Sequence, residues 1–68
     1  MKTIKVGIMP GKLTEIVLQG EMTAREIFNL AEIEISNHEV RLDGEKISLD
    51  DTVKEGNLLV AMKMIKGN

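Results

Sequence analysis

The sequence predicts a small α+β domain in which a single helix covers one face of a mixed sheet. Three observations predict it. Leu58-Leu59-Val60-Ala61-Met62 is an unbroken apolar run, too short for a typical helix and bounded upstream by Gly56-Asn57. That pattern marks a strand apolar on both faces, which belongs in the middle of a sheet. Thr3 to Ile8 alternates apolar and polar residues, as a half-buried strand does. Helical periodicity behind a helix-start signal is convincing in one stretch, Thr23 to about Glu32.

The totals set the frame. A chain of 68 residues makes a single domain, 1–68. A domain of this size buries roughly 60% of its unfolded surface, and its core supplies about 3–5 kcal/mol. With no cysteine there is no disulfide and no thiolate metal site, so regular secondary structure and packing must hold the fold. Met1–Gly20 has no long apolar core and no run approaches membrane-spanning length, so a cytoplasmic protein without a membrane partner is expected. The formal charge of −2 argues against nucleic-acid binding. The charge is uneven: residues 1–14 carry +3, residues 15–55 carry −7 and residues 56–68 carry +2. If the two ends pair in space, they form a mildly basic strip on an acidic body.

In the first strand, Ile4, Val6 and Ile8 point one way and Thr3, Lys5 and Gly7 the other. Pro10-Gly11 follows as a turn, with proline fixing φ and glycine free to take a positive value. Leu13 to Gln19 is a second strand with Ile16 and Leu18 inward, and Gly20 ends it. The two make a β-hairpin. Thr23-Ala24-Arg25-Glu26 is a capping box. Behind it Ala24, Ile27, Phe28 and Ala31 form an apolar stripe that Leu30 widens, over a helix of about ten residues. Phe28, the sole aromatic residue, belongs to the core. Ser36-Asn37 is a loop, and His38 to Leu42 is a short strand with Val40 and Leu42 inward. Asp43-Gly44 is a tight turn, and Glu45 to Leu49 returns with Ile47 inward. Asp50-Asp51-Thr52 starts a helical turn with Val53 plugging the core, and Glu55-Gly56-Asn57 leads into the last strand.

The expected order is therefore ββαβββ. Placing the final strand beside the first, in parallel, buries it centrally. This order is that of β-grasp proteins, and the layout resembles ubiquitin-like proteins. Asp43-Gly44-Glu45, Ile47, Asp51-Thr52-Val53-Lys54-Glu55-Gly56-Asn57 and the apolar strand resemble the second half of ThiS and MoaD. Those are the sulfur carriers of thiamine and molybdopterin synthesis. The pattern of Gly20, Thr23 and an amphipathic helix over Gly20–Ala31 resembles theirs as well, and the chain is also similar to TGS domains. The resemblance implies a carrier whose terminal carboxylate is activated by an adenylating enzyme. Carriers of this family end in Gly-Gly, whereas here Gly67 is followed by Asn68. Activation needs a thin tail, and a side chain at the last residue obstructs it. The tail Lys66-Gly67-Asn68 is accordingly expected not to be activated.

No catalytic residue, cofactor or metal site is expected. His38 has no second histidine or cysteine beside it, and Asp50-Asp51 fits a turn better than a catalytic pair. The acidic chain lacks aromatic residues to stack on bases, which disfavours RNA binding of the TGS type. The informative feature is the last strand, because one helix covers only one face of a sheet. By the family resemblance Leu59 and Ala61 face the helix, leaving Val60, Met62 and Met64 outward beside Lys5. With the opposite parity Leu59, Ala61 and Ile65 are outward. Either way an apolar patch remains, the mark of a partner site, and methionine adapts to partners. The leading expectation is a non-catalytic protein-binding module, monomeric or weakly homodimeric, using Lys5, Val60, Met62, Met64 and the tail. The alternative is a ThiS/MoaD-like sulfur carrier.

Overall fold

The computed structural model describes residues 2–56 and 58–64. The elements in chain order are β1 (Lys2–Met9), β2 (Leu13–Leu18), β3 (Met22–Thr23), α1 (Ala24–Leu30), β4 (His38–Leu42), β5 (Glu45–Ile47), β6 (Thr52–Val53) and β7 (Leu58–Lys63). Five strands form one mixed sheet in the order β2-β1-β7-β4-β5, and β3 pairs with β6 apart from it. The architecture is α+β, a mixed sheet with one helix. β7 is central: it runs parallel to β1 and antiparallel to β4.

Register explains why an all-apolar strand sits there. Leu59 lies opposite Val6 on one side and Leu42 on the other, and Ala61 lies between Ile8 and Val40. These residues share the face beneath the helix. Leu59, Ala61, Ile4, Val6 and Val40 join Ala24, Ile27, Phe28 and Val53 in one buried cluster. Each large side chain sealed there contributes about 1.5–3 kcal/mol relative to exposure. The alternate parity, with Leu59 and Ala61 outward, is thereby excluded.

The helix begins where the sequence predicts. Thr23 Oγ1 accepts the Glu26 N–H at 3.1 Å, and Glu26 Oε1 accepts the Thr23 N–H at 2.8 Å. The next unpaired donors find backbone partners: Ala24 N–H donates to the Asp51 carbonyl and Arg25 N–H to that of Leu49. Three otherwise orphaned N–H groups of the first turn are thus satisfied, those of Ala24, Arg25 and Glu26.

The helix ends earlier than expected, after seven residues rather than about ten. The cause is a Schellman motif built on Glu32, which adopts a φ of 59°. Ile33 N–H donates to the Phe28 carbonyl and Glu32 N–H to that of Asn29. The stop lacks the usual glycine but falls near Glu32, where the helical periodicity of the sequence gives out. The early end leaves Leu30 half exposed, off the buried stripe it was expected to widen.

Other departures are local. β5 ends at Ile47, not Leu49. Residues 48–51 form a turn held by Ser48 N–H on Asp51 Oδ2 at 2.8 Å and Asp50 N–H on Ser48 Oγ at 3.3 Å. No helical turn follows at Thr52. Thr52–Val53 is instead a strand paired with Met22–Thr23, which still places Val53 in the core. The additional pair β3–β6 makes the element order longer than the one expected. Gly11 does not use a positive φ; a side chain there would meet the Ile8 carbonyl oxygen at 2.7 Å. Asp43 and Gly44 both have positive φ, 51° and 88°, as a type I′ hairpin turn requires.

Candidate protein-docking face

The helix lies over one face of the sheet, and the register defines what stands on the other. Crossing the sheet, Leu13, Gly7, Val60, Arg41 and Lys46 form one row. Met9, Met62 and Glu39 form the next. Glu15, Lys5 and Leu58 lie in a third on the other side. Met64 follows one strand step beyond Met62, its N–H bonded to the Asn37 carbonyl at 3.0 Å.

Exposed apolar residues concentrate here. Met9, Leu13, Val17, Met62 and Met64 are each 40–49% exposed and stand on the open face. Among the described residues the other large exposed apolar side chain is Leu30, on the helix. Met62 and Met64 are therefore outward as expected. Val60 also points to this face, but it is only 8% exposed, a correction to its expected accessibility. Gly7 beside it has no side chain, and Leu13 fills the space above Gly7 while Arg41 flanks Val60 on the other side. Val60 is the floor of the patch, not its crest.

Charge frames the apolar band. Arg41 Nε donates to Glu39 Oε2 at 2.6 Å, and Lys46 Nζ stands 3.9 Å from Glu39 Oε1. Arg41 and Lys46 are direct cross-strand partners, so Glu39 offsets two adjacent cations. The hydrogen bond from Arg41 and the two nearby positive charges hold the Glu39 carboxyl below its ordinary range, against the opposing effect of partial burial. Lys5 lies between Glu15 and Leu58 in register. The two ends of the chain do pair, through β1 and β7, yet among the described residues the cations form no continuous basic strip. Lys2 pairs with Glu55 at 3.7 Å, and Glu15 and Glu39 interrupt the cations of the open face.

Residues expected in other roles are accounted for locally. His38 Nδ1 accepts the Ser36 N–H at 3.2 Å. Asp50 pairs with Arg25 at 3.2 Å, and Asp51 holds the turn with Ser48. Among the described residues no group of acidic, histidine or cysteine side chains is arranged to hold a metal. No helix among them is long and apolar enough to cross a membrane. Lys66, Gly67 and Asn68 lie outside the described residues.

Sequence reasoning identified Lys5, Val60, Met62 and Met64 but missed Met9, Leu13, Val17, Glu39, Arg41 and Lys46. Alternation from Thr3 would have placed Met9 outward, and hairpin pairing would have aligned Leu13 and Val17 with it. Arg41 and Lys46 enter through the β4–β5 register. No protein-family model matches the chain, and no curated protein matches it.

Proposed function

We propose that this chain is a ubiquitin-like β-grasp module that binds a protein partner through its open sheet face, without catalytic chemistry, in the cytoplasm. The observation that carries this reading is the concentration of exposed apolar side chains on the face the helix leaves bare. Met9, Leu13, Met62 and Met64 supply adaptable apolar contact over the Val60 floor. Lys5 and the Arg41–Glu39–Lys46 group supply the polar rim that fixes orientation. The main sheet taken by itself supports the β-grasp assignment. Without the β3–β6 pair, the chain reads hairpin, helix, hairpin and central strand.

The test is capture of partners from source-cell lysate, followed by titration of the recovered protein against three variants. Met62→Asp is expected to abolish saturable binding while the thermal melt stays cooperative. Leu30→Asp, on the helix side, is expected to leave binding intact. Leu59→Asp is expected to unfold the domain, because it buries an unpaired carboxylate. Binding insensitive to Met62→Asp would overturn the reading. Recovery of an adenylating enzyme, with a gain of one sulfur for one oxygen in intact mass, would replace it with the sulfur-carrier reading.

A further inference from the structure

The two outer edges of the sheet differ. The β5 edge is three residues long and carries Glu45 and Lys46. The chain after it is tied down, with the Leu49 and Asp51 carbonyls accepting from Arg25 and Ala24. Short length and charge are the usual protections of an edge strand. The β2 edge is twice as long and carries one charged residue. It runs Leu13-Thr14-Glu15-Ile16-Val17-Leu18, with an unbroken register against β1 and no bulge or proline. No described segment pairs with its outer side. Its single charge, Glu15, is held over its own sheet: Glu15 Oε2 accepts the Thr3 hydroxyl at 3.0 Å, and Lys5 is its direct cross-strand partner. Leu13 and Val17 on the open face and Ile16 beneath remain partly exposed.

We propose that the β2 edge pairs with the β2 edge of a second copy of this chain, antiparallel about a two-fold axis at Ile16. Identical edges can pair with themselves only in antiparallel fashion about an axis normal to the sheet, which places some residue opposite itself. Two such registers keep five residues of β2 in the ladder. Centred on Glu15, the ladder sets two carboxylates face to face, a destabilising like-charge pair. Centred on Ile16, it sets Ile16 against Ile16 and Thr14 against Leu18 on the helix side. On the open side it sets Glu15 against Val17. Charge therefore selects the Ile16 register, and the two five-stranded sheets join into one. This proposal rests on the strand edge and is independent of the docking reading, so Met62→Asp leaves the pairing unchanged.

Sedimentation velocity over a micromolar to millimolar series tests it, with circular dichroism to verify that each variant is folded. The wild-type protein is expected to follow a monomer–dimer equilibrium. Val17→Glu sets a carboxylate opposite Glu15 twice across the axis, and Val17→Lys sets an ammonium there. The dimer dissociation constant is expected to rise with the first and fall with the second, each on the order of ten-fold. Because the chain has no cysteine and Ile16 faces its own copy, oxidised Ile16→Cys is expected to give a disulfide-linked dimer, whereas Thr14→Cys, opposite Leu18, is expected to give none. A wild-type monomer throughout the series, equal effects of the two Val17 variants, or failure of Ile16→Cys to link while Thr14→Cys does would overturn the proposal.

Discussion

Leu13 occupies the space that a side chain on Gly7 would need. The two residues are direct partners across the β1–β2 hairpin, and a Cβ at position 7 would come within 2.9 Å of Leu13 Cδ2. It would also collide with the backbone carbonyl of Lys12. The bare backbone of Gly7 thus lets the hairpin close tightly beside Val60, its partner on the neighbouring strand.

Gly7→Ala is accordingly expected to destabilise the fold by about 1–3 kcal/mol, the usual cost of overpacking a close contact. The obstruction is backbone as well as side chain, so a rotamer change cannot relieve it. Urea denaturation checks the loss, and Val60 should become more accessible in hydrogen exchange of its strand.

Phe28 is fully buried on the inner face of the helix, and Thr23 caps that helix through a reciprocal pair of hydrogen bonds. Phe28→Ala is expected to cost about 3–5 kcal/mol, which for so small a domain approaches the whole of its stability. Thr23→Ala is expected to cost about 0.5–2 kcal/mol. A Phe28→Ala melt superimposable on wild type would contradict the helix-on-sheet core.

Glu32 holds a left-handed conformation that costs an L-residue roughly 1–2 kcal/mol and glycine nothing. Glycine loses more chain entropy on folding, so Glu32→Gly is expected to stabilise by a net of about 0.5–1 kcal/mol. A rise of several degrees in Tm follows for a domain of this size. A lower Tm would show that the Glu32 side chain contributes more than its backbone strain removes.

Glu39 ties acid stability to the open face. Its carboxyl is depressed in the folded protein relative to its ordinary value of 4.5. A depressed acid contributes stability that is complete above the ordinary value and lost as pH falls through the folded value. The denaturation midpoint of the wild type is therefore expected to fall on acidification below about pH 4.5 more steeply than that of Glu39→Gln. Parallel pH profiles of the two proteins would remove Glu39 from the acid transition.

Patterns within short stretches sufficed for much of the fold. Alternation from Thr3 to Ile8 placed β1, the Thr23–Glu26 spacing placed the helix start, and Asp43-Gly44 placed the second hairpin turn. The unbroken run at Leu58–Met62 required a strand flanked on both sides, and β7 is that strand. Each of these signals is carried by residues adjacent in the chain, where periodicity and turn chemistry act directly. The helix stop near Glu32 was legible from the loss of helical periodicity, but the motif that makes it was not, because it closes on backbone hydrogen bonds in place of a glycine. The β3–β6 pair was not legible either, since two residues carry no period. The placing of Val60 between Gly7 and Arg41 depends on residues drawn from two other strands. The joining of Met9, Leu13 and Val17 with Met62 and Met64 into one patch depends on the same registers. Register between strands distant in sequence is set by packing of the whole sheet, and alternation within one strand does not encode it.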